Sequence, residues 1–152
     1  MRPHPNRKDV LVDIDGTLAH IPTEQLEILR SEDPDWEHFY THTFEYEPNV
    51  AVCNLVRDLL FCGRYNVIFI TGRSSRARER TLYWLGTHVG YSTLLMRAAG
   101  DERHDTEVKL DLYLDMREDL SNIAFVLEDR DTLVDMWREL GVTCLQVERG
   151  EE

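Results

Sequence analysis

The stretch Asp9-Val-Leu-Val-Asp-Ile-Asp-Gly-Thr-Leu18 decides how the rest of the chain is read. Val10, Leu11 and Val12 form a short apolar run, the pattern of a buried strand. Asp13 and Asp15 are two residues apart, so on an extended backbone they share a face. Gly16 lets the chain leave the sheet sharply. Two close carboxylates repel unless a cation lies between them or one holds a proton. Magnesium at a phosphoryl-transfer site answers that demand. A calcium loop of the helix–loop–helix kind places its glycine at position six, which this stretch does not do. Taken alone, the stretch also fits a solvated turn.

Downstream, Ala19 to Asn49 is polar and irregular. Thr23 is expected to cap a short helix through Arg30. Trp36, Phe39 and Tyr40 fall at helical spacing, predicting a second short helix over 35–43. The span sits directly after the aspartate pair, so 19–49 is expected to form a small cap or lid insert in one domain spanning 1–152. Its aromatics are read as the insert's own small core or as surfaces for a base to stack on. His38 and His42 are four apart, without an evident third metal ligand.

From Val50 onward the pattern alternates. Val50, Val52, Cys53, Val56, Leu59 and Leu60 mark one helical face, stopped by Gly63. Asn66 to Ile70 reads as a buried strand, and Ser74 or Ser75 caps the helix that follows. Thr93 to Met96 is a third strand. A helix from Asp105 or Thr106 to about Asp119 is expected to use Val108, Leu110, Leu112, Leu114 and Met116 as its apolar positions. Ala124 to Leu127 is a fourth strand, and Asp131 is expected to cap a helix to Leu140. Thr143 to Val147 is a fifth strand, and 148–152 reads as a frayed tail. Such alternation predicts an α/β fold: a five-stranded, mostly parallel, Rossmann-like sheet with helices on both faces.

The 152 residues fit one domain, and the net charge is −12. An acidic chain is a poor general nucleic-acid binder, so contact with a polynucleotide has to come from a local basic patch. The three cysteines form no C-x-x-C and read as small core residues in a reducing compartment. No run approaches the roughly 18 apolar residues of a membrane span, and 1–8 lack a signal-peptide core. A cytoplasmic protein is therefore expected, with no membrane partner. No feature of the pattern sets an oligomeric state.

In open parallel sheets, ligands bind beyond the carboxyl ends of the strands. That rule gathers Asp13 and Asp15, Thr71 and Arg73, Arg97, and Glu128 and Asp129 at one rim. The set Asp13-Ile-Asp-Gly-Thr-Leu18, Thr71-Gly-Arg73, Lys109 and Glu128-Asp129 resembles the four motifs of the haloacid dehalogenase superfamily of phosphohydrolases. The resemblance runs from about Asp9 to Val147. Leu95 to Lys109 and Glu128 to Val147 are also similar to the 3′-phosphatase domain of T-even phage polynucleotide kinases, hence to a bacteriophage end-repair enzyme. The G-x-x-x-x-G-K-S/T loop of the kinase half is absent from these residues, so the chain resembles a free-standing phosphatase module. It also departs from those relatives between Asp9 and Leu29, where no Lys or Arg stands in place of their phosphate-binding arginine.

The resemblance implies that Asp13 is the nucleophile, Asp15 the general acid and base, and Thr71 and Lys109 the groups that stabilise the transferred phosphoryl oxygens. It implies Mg2+ held by Asp13, Asp15, Glu128 and Asp129, with Glu128 where Asp is usual, and Asp105 orienting Lys109. Guanidinium chemistry makes Arg73 and Arg97 the candidates for a substrate phosphate. Thr17, Gly72, Asp105 and Arg130 complete the expected substrate-binding set. Arg76, Arg78 and Arg80 read either as a basic patch or as a solvated helix face. The expected activity is Mg2+-dependent removal of a 3′-phosphate from DNA or RNA ends or from 3′-nucleotides, through an aspartyl-phosphate. The alternatives are a phosphatase of small metabolites or 5′-nucleotides and, in a different class, a non-catalytic binding module.

Overall fold

The structure is a computed structural model describing residues 2–150; the side chains of Tyr40 and Phe44 lie outside the described residues. Five strands form one sheet in the order β3-β2-β1-β4-β5: β1 Lys8–Val12, β2 Tyr65–Ser74, β3 Thr93–Arg97, β4 Ile123–Glu128 and β5 Cys144–Gln146. Every pairing is parallel, so the expected "mostly parallel" sheet is parallel throughout. Val12 lies beside Phe69 on one side and Leu127 on the other. The ladder continues one step further, where Asp13 N–H donates to the Leu127 carbonyl at 3.0 Å. That register places the aspartate pair beside the ends of its two neighbours.

Period-two alternation sorts the strand residues between two cores. Val10, Val12, Val67 and Phe69 face α3 (Val50–Phe61) and α4 (Arg78–His88), with Val56, Trp84 and Leu85 packed against them. Leu11, Ile68, Ile70 and Val126 face α5 (Asp105–Met116) and α6 (Asp131–Glu139), with Tyr113, Val134 and Trp137. Helices therefore cover both faces. Because the central strands are buried on both sides, they read as continuous apolar runs.

Between β1 and α3 the chain folds as α1 (Thr23–Leu29), α2 (Trp36–His42) and a 3-10 turn at Thr43–Glu45. Asp35 caps α2 by accepting from His38 N–H at 2.9 Å. Phe39 and Tyr46 are buried in the first core, and Trp84 Nε1–H donates to the Tyr46 carbonyl at 2.7 Å. This segment is thereby tied to α4.

Several local expectations are corrected. Strand β2 runs on to Ser74, so Thr71, Gly72 and Arg73 lie within it rather than after it. His104, not Asp105 or Thr106, caps α5, its ring nitrogen accepting from Thr106 N–H. Leu114 of α5 is exposed and Tyr113 is buried, because apolar residues at every second position cannot share a helical face. Thr23 and Asp131 are the first residues of their helices and make no cap; Asp131 accepts instead from Gln146 and Arg149. Cys62 is exposed, unlike Cys53 and Cys144. Residues 148–150 are not frayed: Gly150 N–H donates to the Asp129 carbonyl at 2.9 Å. Residues 151 and 152 of that tail lie outside the described residues.

Candidate active site

At the carboxyl rim of the sheet, β1 ends in a tight turn. The Leu18 and Ala19 N–H groups fold back onto the Ile14 carbonyl, and Gly16 takes φ +88°, a region that favours glycine. A Cβ at Gly16 would stand 2.0 Å from Asp129 Oδ2. The missing side chain is what lets β4's acidic end close on Asp13.

Asp13 is buried and held from two sides. Lys109 Nζ donates to its Oδ1 at 2.7 Å and the Thr17 hydroxyl to its Oδ2 at 2.9 Å. Lys109 reaches from α5, where it is fully buried, and also donates to Glu128 Oε2 at 2.8 Å. Thr17 lies 3.3 Å from Asp129 Oδ1 as well. Thr17, expected on substrate, therefore ties two acids together. Asp13, Glu128 and Asp129 present oxygens that all lie within 4.8 Å of one another. Three buried carboxylates face one ammonium group. Burial, then the neighbouring acids, pushes Asp13 and Asp129 above the usual carboxylate range. Lys109 stays charged, since the adjacent acids outweigh the cost of its burial.

This donor set fits the expected magnesium. The ligands are hard oxygens, and their charge exceeds what Lys109 neutralises. Asp13 and Asp129 fit as direct ligands. Both Glu128 oxygens are engaged, one by Lys109 and one by the Asp129 N–H. The Asp15 side chain stands outside the three-acid group among the described residues, so its expected share in the metal site would rest on its backbone.

Arg73 is engaged by protein partners. Expected to grip substrate, it is buried and holds Asp15 by two bonds, Nε to Oδ2 at 2.7 Å and NH2 to Oδ1 at 2.6 Å. Its third nitrogen donates to Thr81 at 3.0 Å, and its guanidinium lies 5.8 Å from the centre of the Tyr46 ring. Thr71 accepts from the Arg73 N–H at 3.1 Å, which leaves its own hydroxyl proton for a ligand.

A second network forms around Asp105, which pairs with both Arg97 and Arg130. Expected to orient Lys109, Asp105 makes no hydrogen bond to it among the described residues, although the two charges attract. Burial would raise the Asp105 pKa, but Arg130, Lys109 and Arg97 hold it below the ordinary value. Gly72 makes room for this network rather than for substrate, since a Cβ there would meet Asp105 Oδ1 at 2.5 Å. Arg97, the other expected phosphate grip, also donates to the Gly72, Asp101 and Arg103 carbonyls.

These groups line one cavity of about 790 Å3. Asp13, Asp15, Thr71, Arg73, Arg97, Asp129 and Arg130 form its floor and one side, and Ile21, Leu26, Leu29, Trp36 and Phe39 from the inserted segment line it as well. The rings of His38 and His42 stack on each other at 4.0 Å, and neither joins a metal-binding group among the described residues. The sequence reading did not find the Arg73–Asp15 pair or the two arginines on Asp105. Signals were present: Thr81 stands eight residues after Arg73, and Asp105 eight residues after Arg97.

The parallel sheet, the rim acids and the buried lysine define a haloacid dehalogenase-like hydrolase of phosphate monoesters. The comparisons with known proteins agree and narrow the class. The family profile of the polynucleotide kinase PNKP phosphatase domain matches residues 7–151, and the chain belongs to that family. A protein of Autographa californica nuclear polyhedrosis virus, named for polynucleotide kinase and RNA ligase activities, is 27% identical over 135 residues, covering 88% of this chain and 18% of that protein. A chain in the structure of the Pnkp1/Rnl/Hen1 RNA repair complex superimposes with a TM-score of 0.77 at 29% identity, covering all of this chain and 46% of that one. A haloacid dehalogenase-like hydrolase from Streptococcus pneumoniae shares the fold, with a TM-score of 0.62 at 14% identity over 92% of this chain and 84% of its own. The chain thus spans less than a fifth of the viral protein and less than half of the repair-complex chain. No helix among the described residues is long and apolar enough to cross a membrane.

Proposed function

We propose that residues 1–152 form one phosphatase domain, with 19–49 as its small cap, that removes 3′-phosphates from nucleic-acid ends or 3′-nucleotides. The observation that carries the reading is the pairing at the rim: Asp13 fixed by Lys109 and Thr17, with Asp15, held by Arg73, beside it in the same cavity. One Asp13 oxygen attacks phosphorus and forms an aspartyl-phosphate as the P–O bond to the sugar breaks. Asp15 passes a proton to the leaving 3′-oxygen. Asp15 then takes a proton from water, whose oxygen attacks the aspartyl-phosphate and releases inorganic phosphate with Asp13 restored. The Thr71 hydroxyl and the Lys109 ammonium steady the phosphoryl oxygens, the electrostatic support on which phosphoryl transfer depends. Mg2+ held by Asp13, Asp129 and the Asp15 backbone would supply the positive charge that Lys109 alone does not.

The substrate assignment draws on the family and on the kinase and RNA repair names of its relatives. One observation favours a second reading, a phosphatase of small metabolites or 5′-nucleotides: Arg73, Arg97 and Arg130 are already paired with aspartates. The deciding assay compares phosphate release from one oligonucleotide carrying a 3′- or a 5′-phosphate, beside a panel of soluble phosphomonoesters, with magnesium or with a chelator. The first reading expects release from the 3′ end only, lost on chelation. Equal rates at both ends, or preference for small esters, rejects it.

A further inference from the structure

We propose that Trp36 and Arg76 form a subsite for the last nucleotide of the substrate: the indole stacks on its base, and the guanidinium takes the phosphodiester on its 5′ side. This deepens the reading above and rests on it. Both residues line the cavity that holds Asp13 and Thr71. They come from neighbouring elements of its wall, Trp36 opening α2 and Arg76 standing in the 3-10 turn Ser75–Ala77, which packs against α2.

Trp36 leaves 50% of its surface exposed, whereas Trp84 and Trp137 are buried. Its ring meets buried Phe39 edge-on, with centroids 6.1 Å apart and planes at 88°. Half-exposed in the cavity wall, the indole is an aromatic surface of the kind on which a nucleobase stacks. Ile21, Leu26 and Leu29 extend the apolar wall beside it.

Arg76 differs from its neighbours in the cavity. Arg73 holds Asp15, Arg97 and Arg130 hold Asp105, Arg103 holds Asp101 and Asp111, and Arg149 holds Asp131. The Arg76 guanidinium makes no hydrogen bond or ion pair among the described residues; only its backbone N–H is engaged, by the Ser74 hydroxyl. A guanidinium without an acidic partner, in the wall of a cavity on a chain of net charge −12, is suited to an anion brought by the ligand. The transferred phosphate belongs at Asp13, so the anion left for Arg76 is the next phosphate along the strand.

The test measures kinetics on three substrates: a 3′-phosphorylated oligonucleotide, the same oligonucleotide with an abasic 3′-terminal residue bearing the phosphate, and a 3′-mononucleotide without a phosphodiester. Trp36→Ala is expected to raise KM about tenfold on the first substrate, with kcat near wild type, and to leave the abasic substrate unaffected. Trp36→Phe recovers most of the loss. Arg76→Gln raises KM for both oligonucleotides, reduces the salt slope by about one, and leaves the mononucleotide unchanged. Binding of the 3′-phosphorylated oligonucleotide to Asp13→Asn quenches tryptophan fluorescence, and Trp36→Phe in that background removes the quench. Equal losses on all three substrates, or none, overturn the subsite while leaving the phosphatase reading intact. A wild-type protein that releases phosphate from small esters but from no 3′ end overturns both.

Discussion

The two ends of β1 each bury an aspartate, and the two are treated oppositely. At the amino end, Asp9 receives two bonds from Arg117, at 2.9 and 2.8 Å, one from the Tyr113 hydroxyl at 2.8 Å and one from Asn66 at 2.9 Å. Burial alone would raise its pKa; the four donated bonds win and hold it below the ordinary value. At the carboxyl end, four residues on, Asp13 shares a single lysine with Glu128 and crowds against Asp129, and its pKa is raised. A satisfied carboxylate stabilises a fold. An under-compensated group of them costs stability and leaves charge to be used on a ligand. The same strand thus carries a structural staple at one end and the proposed reactive site at the other.

The contrast breaks most visibly at Asp13. Asp13→Asn is expected to lower turnover by about 10^4-fold or more, since it removes the proposed attacking group. It should not lower the metal-free melting temperature, because one of the crowded charges is gone. Phosphate release and a melting curve on the same preparation check both halves. A variant that melts well below wild type would show that Asp13 is a staple after all.

Next in size is the Arg73–Asp15 pair. Arg73→Ala is expected to cut kcat about a hundredfold, the cost of an acid displaced by roughly 1 Å, with little change in KM. A rise in KM with kcat preserved would restore Arg73 to the substrate-binding role first expected from its position.

At the other end of the strand, Asp9→Asn should cost about 3 kcal/mol, or roughly 6–12 °C in Tm, with activity per folded molecule unchanged. The pH dependence has a definite sign. A depressed folded pKa contributes stability above the unfolded value near ~3.9 and loses it as pH falls through the folded value. Wild type is therefore expected to lose stability steeply below about pH 4, and Asp9→Asn less steeply. Parallel acid slopes for the two proteins would remove Asp9 from this role.

The site was legible where chemistry follows strand ends. The continuous apolar run Val10–Val12, two aspartates after it and acidic residues after β4 locate the rim without coordinates. Lys109 was legible only through the family resemblance, since a lysine on a helix otherwise reads as surface. Pairing was not legible. Arg73, Arg97 and Arg130 were assigned to substrate because a sequence shows which cations reach a rim, not which acid reaches them first. Nor was the Asp9 staple read, although Tyr113 and Arg117 are four apart, as one helix face requires, and Asn66 lies beside Asp9 in the β1–β2 register. The Asp131 cap was missed for a related reason: its carboxylate is taken by Gln146 of β5, which outweighs propensity.

Asp13, Glu128 and Asp129, three buried acids within reach of one another, are the proposed seat of a divalent cation. The most direct measurement is the melting temperature of wild type and Asp129→Asn with and without excess Mg2+ at neutral pH. With Mg2+ at about a hundred times its dissociation constant, wild type should gain roughly 5–10 °C. Asp129→Asn should start no lower without metal and gain almost nothing with it. A wild type indifferent to Mg2+, or an equal gain in both proteins, would contradict the claim.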